Sequence, residues 1–180
     1  NTWFSDLWED VRGEVQELED TELRDRSAAY PLEIPHRLIN MFSVKGDTVL
    51  DPFWGTGTTT IASMINARNS IGIEIQEGFT DYFENRMKEI KSISEKVAHE
   101  RLESHSKFCE ERIENGKSFK YEMENYDLPA TTKQEKNILL HRVSEVEEFD
   151  GRFELKHVPV NPGFETRQDK GQSNLKDMAS

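Results

Sequence analysis

The stretch Gly46-Asp47-Thr48-Val49-Leu50-Asp51-Pro52-Phe53-Trp54-Gly55-Thr56-Gly57-Thr58-Thr59-Thr60, followed through Ile61 to Ser70-Ile71-Gly72-Ile73-Glu74-Ile75, decides the fold. Thr48, Val49 and Leu50 form a short apolar run behind a Gly-Asp turn signal, which reads as a strand. Gly55 and Gly57 let the backbone turn tightly and approach a ligand without Cβ clashes. Thr58 then opens a helix that carries Ile61, Ala62, Met64 and Ile65. Residues 71–75 make a second strand that ends in an acid. Glu74 stands nineteen positions after Gly55, close to the offset of about 20 at which a nucleotide-binding βαβ unit places its ribose-binding carboxylate. A pair of glycines alone is a weak signal, and a structural turn explains it equally well.

The neighbouring residues are more specific. Asp51-Pro52-Phe53-Trp54-Gly55-Thr56-Gly57-Thr58-Thr59 resembles the cofactor motif of S-adenosylmethionine-dependent DNA amino-methyltransferases, which modify adenine N6 or cytosine N4. Ala29-Tyr30-Pro31-Leu32-Glu33-Ile34-Pro35-His36-Arg37-Leu38-Ile39 is similar to that family's second cofactor-contacting motif, with Tyr30 where His is commoner. Its place before the glycine turn matches the circularly permuted order, with the catalytic half upstream. Ser70 to Ile75 resembles the ribose-binding strand. The resemblance covers residues 27 to about 90, with Trp3 to Val11 similar to the connector before the cofactor half.

The resemblance implies an α/β, Rossmann-like methyltransferase fold containing part of a doubly wound sheet. It implies S-adenosyl-L-methionine as cofactor and direct methyl transfer to an exocyclic amino group of DNA, in a restriction-modification setting. Asp51, Pro52, Phe53, Gly55, Gly57 and Thr58 are expected around the methionine and ribose. Glu74 is expected on the ribose hydroxyls and Ile75 against the adenine. Tyr30 and Pro31 are expected over the methionine end, and Pro31 with Pro35 on the far wall.

The chain has 180 residues, enough for one core with a tail. Its 35 acids against 23 bases give a net charge of −12, which argues against a broad phosphate-binding face on this chain by itself. DNA contact is therefore expected through a separate recognition region. The single Cys109 excludes an internal disulfide and an all-cysteine metal site. His99 and His105 are not on one helical face, so no metal is expected. No apolar run approaches the ~18 residues of a membrane span, and a cytoplasmic, reducing location fits. The sequence opens on Asn1 rather than Met, as expected of part of a longer protein.

Residues 1–26 read as a connector, with Trp3, Phe4 and Trp8 anchoring an acidic segment on a core. Residues 27–94 read as the cofactor-binding core. Within them Leu38, Ile39, Met41 and Phe42 give a packing helix its apolar face, Pro35 sits in its first turn, and His36 reads as a surface residue. Residues 77 to about 114 read as one long helix with a stripe of Phe79, Tyr82, Phe83, Met87, Ile90, Ile93 and Val97. Beyond Val97 the pattern thins, as in a solvated helix or one packed on a partner. Residues 95–134 thus comprise helix and loop. Residues 135–160 read as a small β-appendage, because Asp150-Gly151 between alternating apolar residues is a hairpin signal. Phe153, Leu155 and Val158 are its inward positions. Residues 161–180 read as a mobile polar tail.

The family's chemistry uses an Asp/Asn/Ser-Pro-Pro-aromatic loop that holds the target amino group and stacks on a flipped-out base. This sequence contains no Pro-Pro pair. Asn161-Pro162-Gly163-Phe164 is the nearest string, which makes Asn161 a weak catalytic candidate; its order in the chain and its glycine favour a plain turn. The catalytic loop is expected upstream of Asn1, and the chain alone is expected to be inactive. A catalytic partner chain or a homodimer is the implied partner. The other readings are a non-catalytic cofactor-binding scaffold and a dehydrogenase-like protein, although Thr60 replaces the third glycine of the dinucleotide pattern.

Overall fold

A computed structural model describes residues 7–11 and 30–161. Trp3 and Phe4, most of the connector, and the tail from Pro162 onward lie outside the described residues. The chain divides into two compact units. The first holds the described residues up to Lys91 together with Glu145–Leu155; the second holds Ser92–Ser144 and the described residues from Lys156.

The first unit begins with helix α1, Glu33–Phe42. Pro35 falls in its first turn, where a missing N–H costs nothing. Ser43 ends the helix, its amide donating to the Ile39 carbonyl at 3.0 Å. After a turn at Gly46 (φ 86°) comes strand β1, Thr48–Asp51. Helix α2, Thr58–Ile65, follows the glycine turn, and strand β2, Asn69–Gly72, runs parallel to β1 with Leu50 opposite Ile71. The strand–turn–helix–strand order therefore holds, in an α/β unit, but the second strand expected over 71–75 lies at Asn69–Gly72 and ends before Glu74. Ile61 and Ala62 on α2 are fully buried. The sheet has two strands among the described residues. Leu50, Ile71 and Ile73 remain 60%, 56% and 54% exposed.

The long helix expected over 77–114 is two helices, α3 at Gly78–Met87 and α4 at Ile90–Glu114. The break lies at Lys88-Glu89, where two amides bond three residues back, to Asn85 and Arg86; such tightening ends an α-helix without Gly or Pro. Phe79, Phe83 and Met87 are buried at four-residue spacing, as the periodicity predicts. On α4 the expected core positions Ile93 and Val97 are only half-buried. The buried stripe is Ile90, as expected, then Ser94, Ala98, Leu102, Ser106 and Cys109. Small and weakly polar residues carry it, which hydropathy does not flag.

In the second unit the expected loop over 115–134 contains two short antiparallel strands, β3 at Tyr121–Glu122 and β4 at Pro129–Ala130. A 3₁₀ turn, Lys133–Asn137, follows, with Thr132 and Glu135 closing a capping box. Two-residue strands leave no periodicity to read. Strands β5, His141–Phe149, and β6, Arg152–Pro159, form the predicted hairpin. Asp150 and Gly151 both have positive φ, 49° and 66°, the geometry of a type I′ turn. Phe153, Leu155 and Val158 are half-buried as expected. The Glu145–Leu155 end of the hairpin belongs to the first unit; the core of the second unit joins Ala98, Leu102, Met123, Tyr126, Ala130 and Val160. No helix among the described residues is long and apolar enough to cross a membrane.

Candidate cofactor site

The site is built where β1 ends. The Asp51 carbonyl accepts the Ile73 amide at 2.9 Å, and the Trp54 amide donates to the Ile73 carbonyl at 3.0 Å. These bonds tie the turn to the end of β2. The Asp51 carboxylate accepts the Phe53 amide at 3.1 Å, which fixes the first bend. Gly55 and Gly57 both take left-handed conformations, φ 51° and 74°, but for different reasons. A Cβ on Gly55 would meet nothing nearer than the Phe53 carbonyl oxygen at 3.9 Å, so this side of the turn is open to a ligand. A Cβ on Gly57 would overlap the Phe83 ring. Gly57 therefore serves packing and the helix start. Gly72, on β2, does the same: a Cβ there would overlap the Trp54 indole.

Trp54 is the wedge that sequence reasoning missed. Its ring lies 4.7 Å from that of Phe83, and its Nε1 donates to Thr60 Oγ1 at 2.8 Å. Thr60 Oγ1 in turn bonds Ser70 Oγ at 2.8 Å, linking α2 to β2. Phe83 also meets Phe153 edge-on at 5.8 Å. Arg86 is a second missed residue: its Nη1 donates to the Thr56 carbonyl at 3.0 Å and to Thr58 Oγ1 at 3.1 Å. The signal was present, since a cation at position 86 shares the apolar face of α3 with Phe79 and Phe83.

Glu74 lies beside the turn. One carboxylate oxygen accepts the Gly55 amide at 2.8 Å; the other accepts the amides of Ile75 and Gln76 at 2.8 and 2.9 Å. The bond from Gln76 does most to hold this carboxyl below its ordinary range, partial burial opposes it, and the Gly55 and Ile75 amides lower it further. The group is thus a fixed anion. Three of its roughly four lone-pair directions are taken, and the oxygen facing Gly55 keeps one for a further donor. Phe53 and Ile75 are 89% and 93% exposed. A fixed carboxylate with a spare acceptor direction suits a hydroxylated ligand.

The second predicted segment reaches the same turn. Tyr30 OH and Thr59 Oγ1 are hydrogen-bonded at 2.5 Å, which brings Tyr30 to the first turn of α2. Pro31 precedes α1 and its carbonyl accepts the Ile34 amide at 3.1 Å. Pro35 is buried inside α1. His36 is not a surface residue: it is 6% exposed, and its Nδ1 accepts from Asn66 Nδ2 at 2.9 Å. Asn66 Oδ1 accepts from Asn40 at 2.8 Å, so a polar network at the end of α2 draws the histidine inward. Arg37 is buried as well, paired with Asp10 and Glu33 and lying 5.2 Å over the Trp8 ring. The Trp8 anchor expected from sequence is thus a cation–π contact. Tyr30, Asp51, Phe53, Gly55, Thr58, Glu74 and Ile75 are placed by bonds to the turn or by position beside it. Pro52 is exposed between them. Asn161 follows the end of β6 and is exposed, and the rest of its string lies outside the described residues.

An α/β unit with a glycine turn at the end of one strand and a hydrogen-bonded acid just beyond the end of the next is the architecture of a nucleotide-cofactor-binding protein. Residues 1–85 match the N6/N4 methyltransferase family, described as DNA methylase. The cofactor-motif portion of the chain is thus N6/N4 DNA amino-methyltransferase sequence. The type II methyltransferase M.MthZI of Methanothermobacter thermautotrophicus is 44% identical over 171 residues, 94% of this chain and 46% of that protein. M.MjaI of Methanocaldococcus jannaschii is 49% identical over 85 residues, 47% of this chain and 27% of that protein. A DNA modification methylase of Thermus thermophilus, TTHA0409, solved with S-adenosyl-L-methionine, is 36% identical over 49% of this chain and 31% of that one, with a TM-score of 0.41. The chain spans less than half the length of these relatives. The match to M.MthZI, over 94% of this chain, is long enough to take in most of the second unit.

Proposed function

We propose that this chain is the cofactor-binding portion of a DNA amino-methyltransferase of a restriction-modification system, acting in the cytoplasm. S-adenosyl-L-methionine binds along the glycine turn. Glu74 would take its ribose hydroxyls and Ile75 would press on its adenine; Asp51, Phe53 and Thr58 would line the methionine and ribose portions, with Tyr30 and Pro31 over the methionine end. The observation that carries this reading is the Glu74 carboxylate held by the Gly55 amide at 2.8 Å beside an open Gly55.

Transfer itself belongs to the rest of the protein. The sequence has no Pro-Pro-aromatic loop, and its net charge of −12 does not attract DNA. The parallel sheet has two strands among the described residues, with Leu50 and Ile71 exposed, and parallel sheets are ordinarily covered on both faces. Both features support further polypeptide packing against this unit and supplying the loop and the base-reading surface. When bound, the cofactor would supply a sulfonium methyl group for direct transfer to the amino nitrogen of adenine or cytosine, leaving S-adenosylhomocysteine and one proton to be released. The alternative is a scaffold that binds the cofactor without taking part in transfer; the missing loop favours it.

The test is calorimetric titration of the chain with S-adenosyl-L-methionine, followed by an assay of labelled methyl transfer to DNA with the missing portion of the enzyme added. Saturable binding and restored transfer support the proposal. Absence of binding refutes the cofactor site, and binding without transfer supports the scaffold.

A further inference from the structure

We infer that Arg86 is a positioning residue for the cofactor loop. This rests on the proposed cofactor reading. The strand side of the loop is held by ladder bonds and by Glu74. The helix side, residues 56–58, has no such ladder. There the peptide unit between Thr56 and Gly57 is gripped at both ends. Its carbonyl accepts from Arg86 Nη1 at 3.0 Å, and its amide donates to the Trp54 carbonyl at 2.9 Å. A peptide unit is planar, so fixing both ends fixes its orientation. The same Arg86 nitrogen donates to Thr58 Oγ1 at 3.1 Å, and Thr56 and Thr58 are 3% and 5% exposed. One guanidinium therefore spans Gly57, the left-handed residue that starts α2. The first amides of a helix lack intrahelical partners and face whatever lies before it. The orientation of the 56–57 peptide sets where those amides point.

The position is electrostatically awkward, which argues for a specific role. A cation near a helix N-terminus opposes the helix dipole. Packing on α3 alone would be served better by an apolar residue beside Phe79 and Phe83. Lysine could keep one donor to the carbonyl, but its compact ammonium on a flexible stem lacks the fork that pre-orders the guanidinium.

The experiment compares wild type, Arg86→Lys and Arg86→Met by titration with S-adenosyl-L-methionine, thermal melting and amide ¹H–¹⁵N spectra. Arg86→Met is expected to lose about tenfold or more in affinity, the scale of a lost charge-assisted hydrogen bond, with a melting point within a few degrees of wild type. Arg86→Lys should fall between, and the Gly57 and Thr58 amide resonances should shift in the ligand-free Met variant. Unchanged affinity in a folded Met variant overturns the inference, as does a loss that merely follows the unfolded fraction. If Arg86→Met does not fold, the comparison of Arg86→Lys with wild type decides. If the wild-type chain binds no cofactor, the cofactor reading fails separately; unshifted Gly57 and Thr58 amides would then overturn the Arg86 contact on its own.

Discussion

The Glu74 carboxylate and the Gly55 amide, nineteen residues apart, are joined by a hydrogen bond of 2.8 Å. The acid that sequence spacing marks for a ribose is thus also a support of the glycine turn. Glu74→Ala removes both functions. It should weaken S-adenosyl-L-methionine binding by about 1–3 kcal/mol, the range for hydrogen bonds to a charged group. Glu74→Gln keeps an acceptor oxygen and should lose less. Titration calorimetry on the two variants checks the order; equal, unchanged affinities would remove Glu74 from the site.

The same carboxylate makes stability depend on pH. Its folded-state pKa lies below the ordinary value, chiefly through the Gln76 amide. Its contribution is therefore complete above the unfolded carboxylate pKa and is lost as pH falls through the folded value. Wild type should lose melting temperature between about pH 5 and pH 3 more steeply than Glu74→Gln. Parallel profiles for the two proteins would show that the carboxylate is not held by these amides.

Three glycines of the motif region should behave differently. Gly72→Ala forces a methyl into the Trp54 ring, and Gly57→Ala forces one into Phe83 while keeping φ at 74°. Overpacking of this kind costs about 1–3 kcal/mol, and the left-handed residue adds about 1–2 kcal/mol. Gly55→Ala has open space and carries only the backbone term. Denaturant titration should rank Gly55→Ala as the mildest for stability, while Gly55→Val should still block cofactor binding. Trp54→Leu should reduce the cost of Gly72→Ala. An undiminished cost in that background would show that the indole is not what fills the space.

The sequence made the βαβ unit legible because periodicity changes from strand to helix across a turn that only glycines allow. Asp150-Gly151 revealed the hairpin by the same kind of backbone constraint. The site residues near the turn could be read because the ligand logic is local: a turn, a helix start and an acid just past the next strand. What escaped was tertiary. Nothing in the local pattern says that Trp54 will lie on Gly72, and the cation on the apolar face of α3 marks Arg86 as inward-facing without naming Thr56 as its partner. The stripe Ser94, Ala98, Leu102, Ser106 and Cys109 escaped because helix packing there uses small side chains. His36 escaped because its partner, Asn66, is thirty residues away.

Cys109 should be chemically silent in the folded protein. It is fully buried, its Sγ lies 3.7 Å from the Pro129 carbonyl oxygen and 3.5 Å from His105 Nε2, and burial pushes the thiol up to about 12. A thiol is nucleophilic only as thiolate. Iodoacetamide at pH 8 should modify Cys109 slowly in native protein and rapidly in denaturant. Because the folded pKa exceeds the unfolded one, this group's contribution is intact below about pH 8.5 and is lost as pH rises beyond it. Fast native labelling would contradict the buried position.

The final prediction concerns Asn66, which closes the polar network behind the cofactor unit. Its amide nitrogen donates to His36 Nδ1 at 2.9 Å and to the Ala62 carbonyl at 2.6 Å, and its oxygen accepts from Asn40 at 2.8 Å. These bonds fasten α1 to the end of α2. Asn66→Ala deletes three hydrogen bonds, at about 0.5–1.5 kcal/mol each, although the Asn40 amide keeps its bond to the His36 carbonyl at 2.8 Å. Asn66→Asp keeps the acceptor but replaces the donor facing His36 Nδ1 and the Ala62 carbonyl. Both variants should destabilise the chain, and His36→Ala should reduce the cost of Asn66→Ala, because neighbours in one network do not add. A double-mutant cycle by chemical denaturation measures the coupling. Strict additivity would mean that His36 and Asn66 act independently and that the inward histidine is held by packing alone.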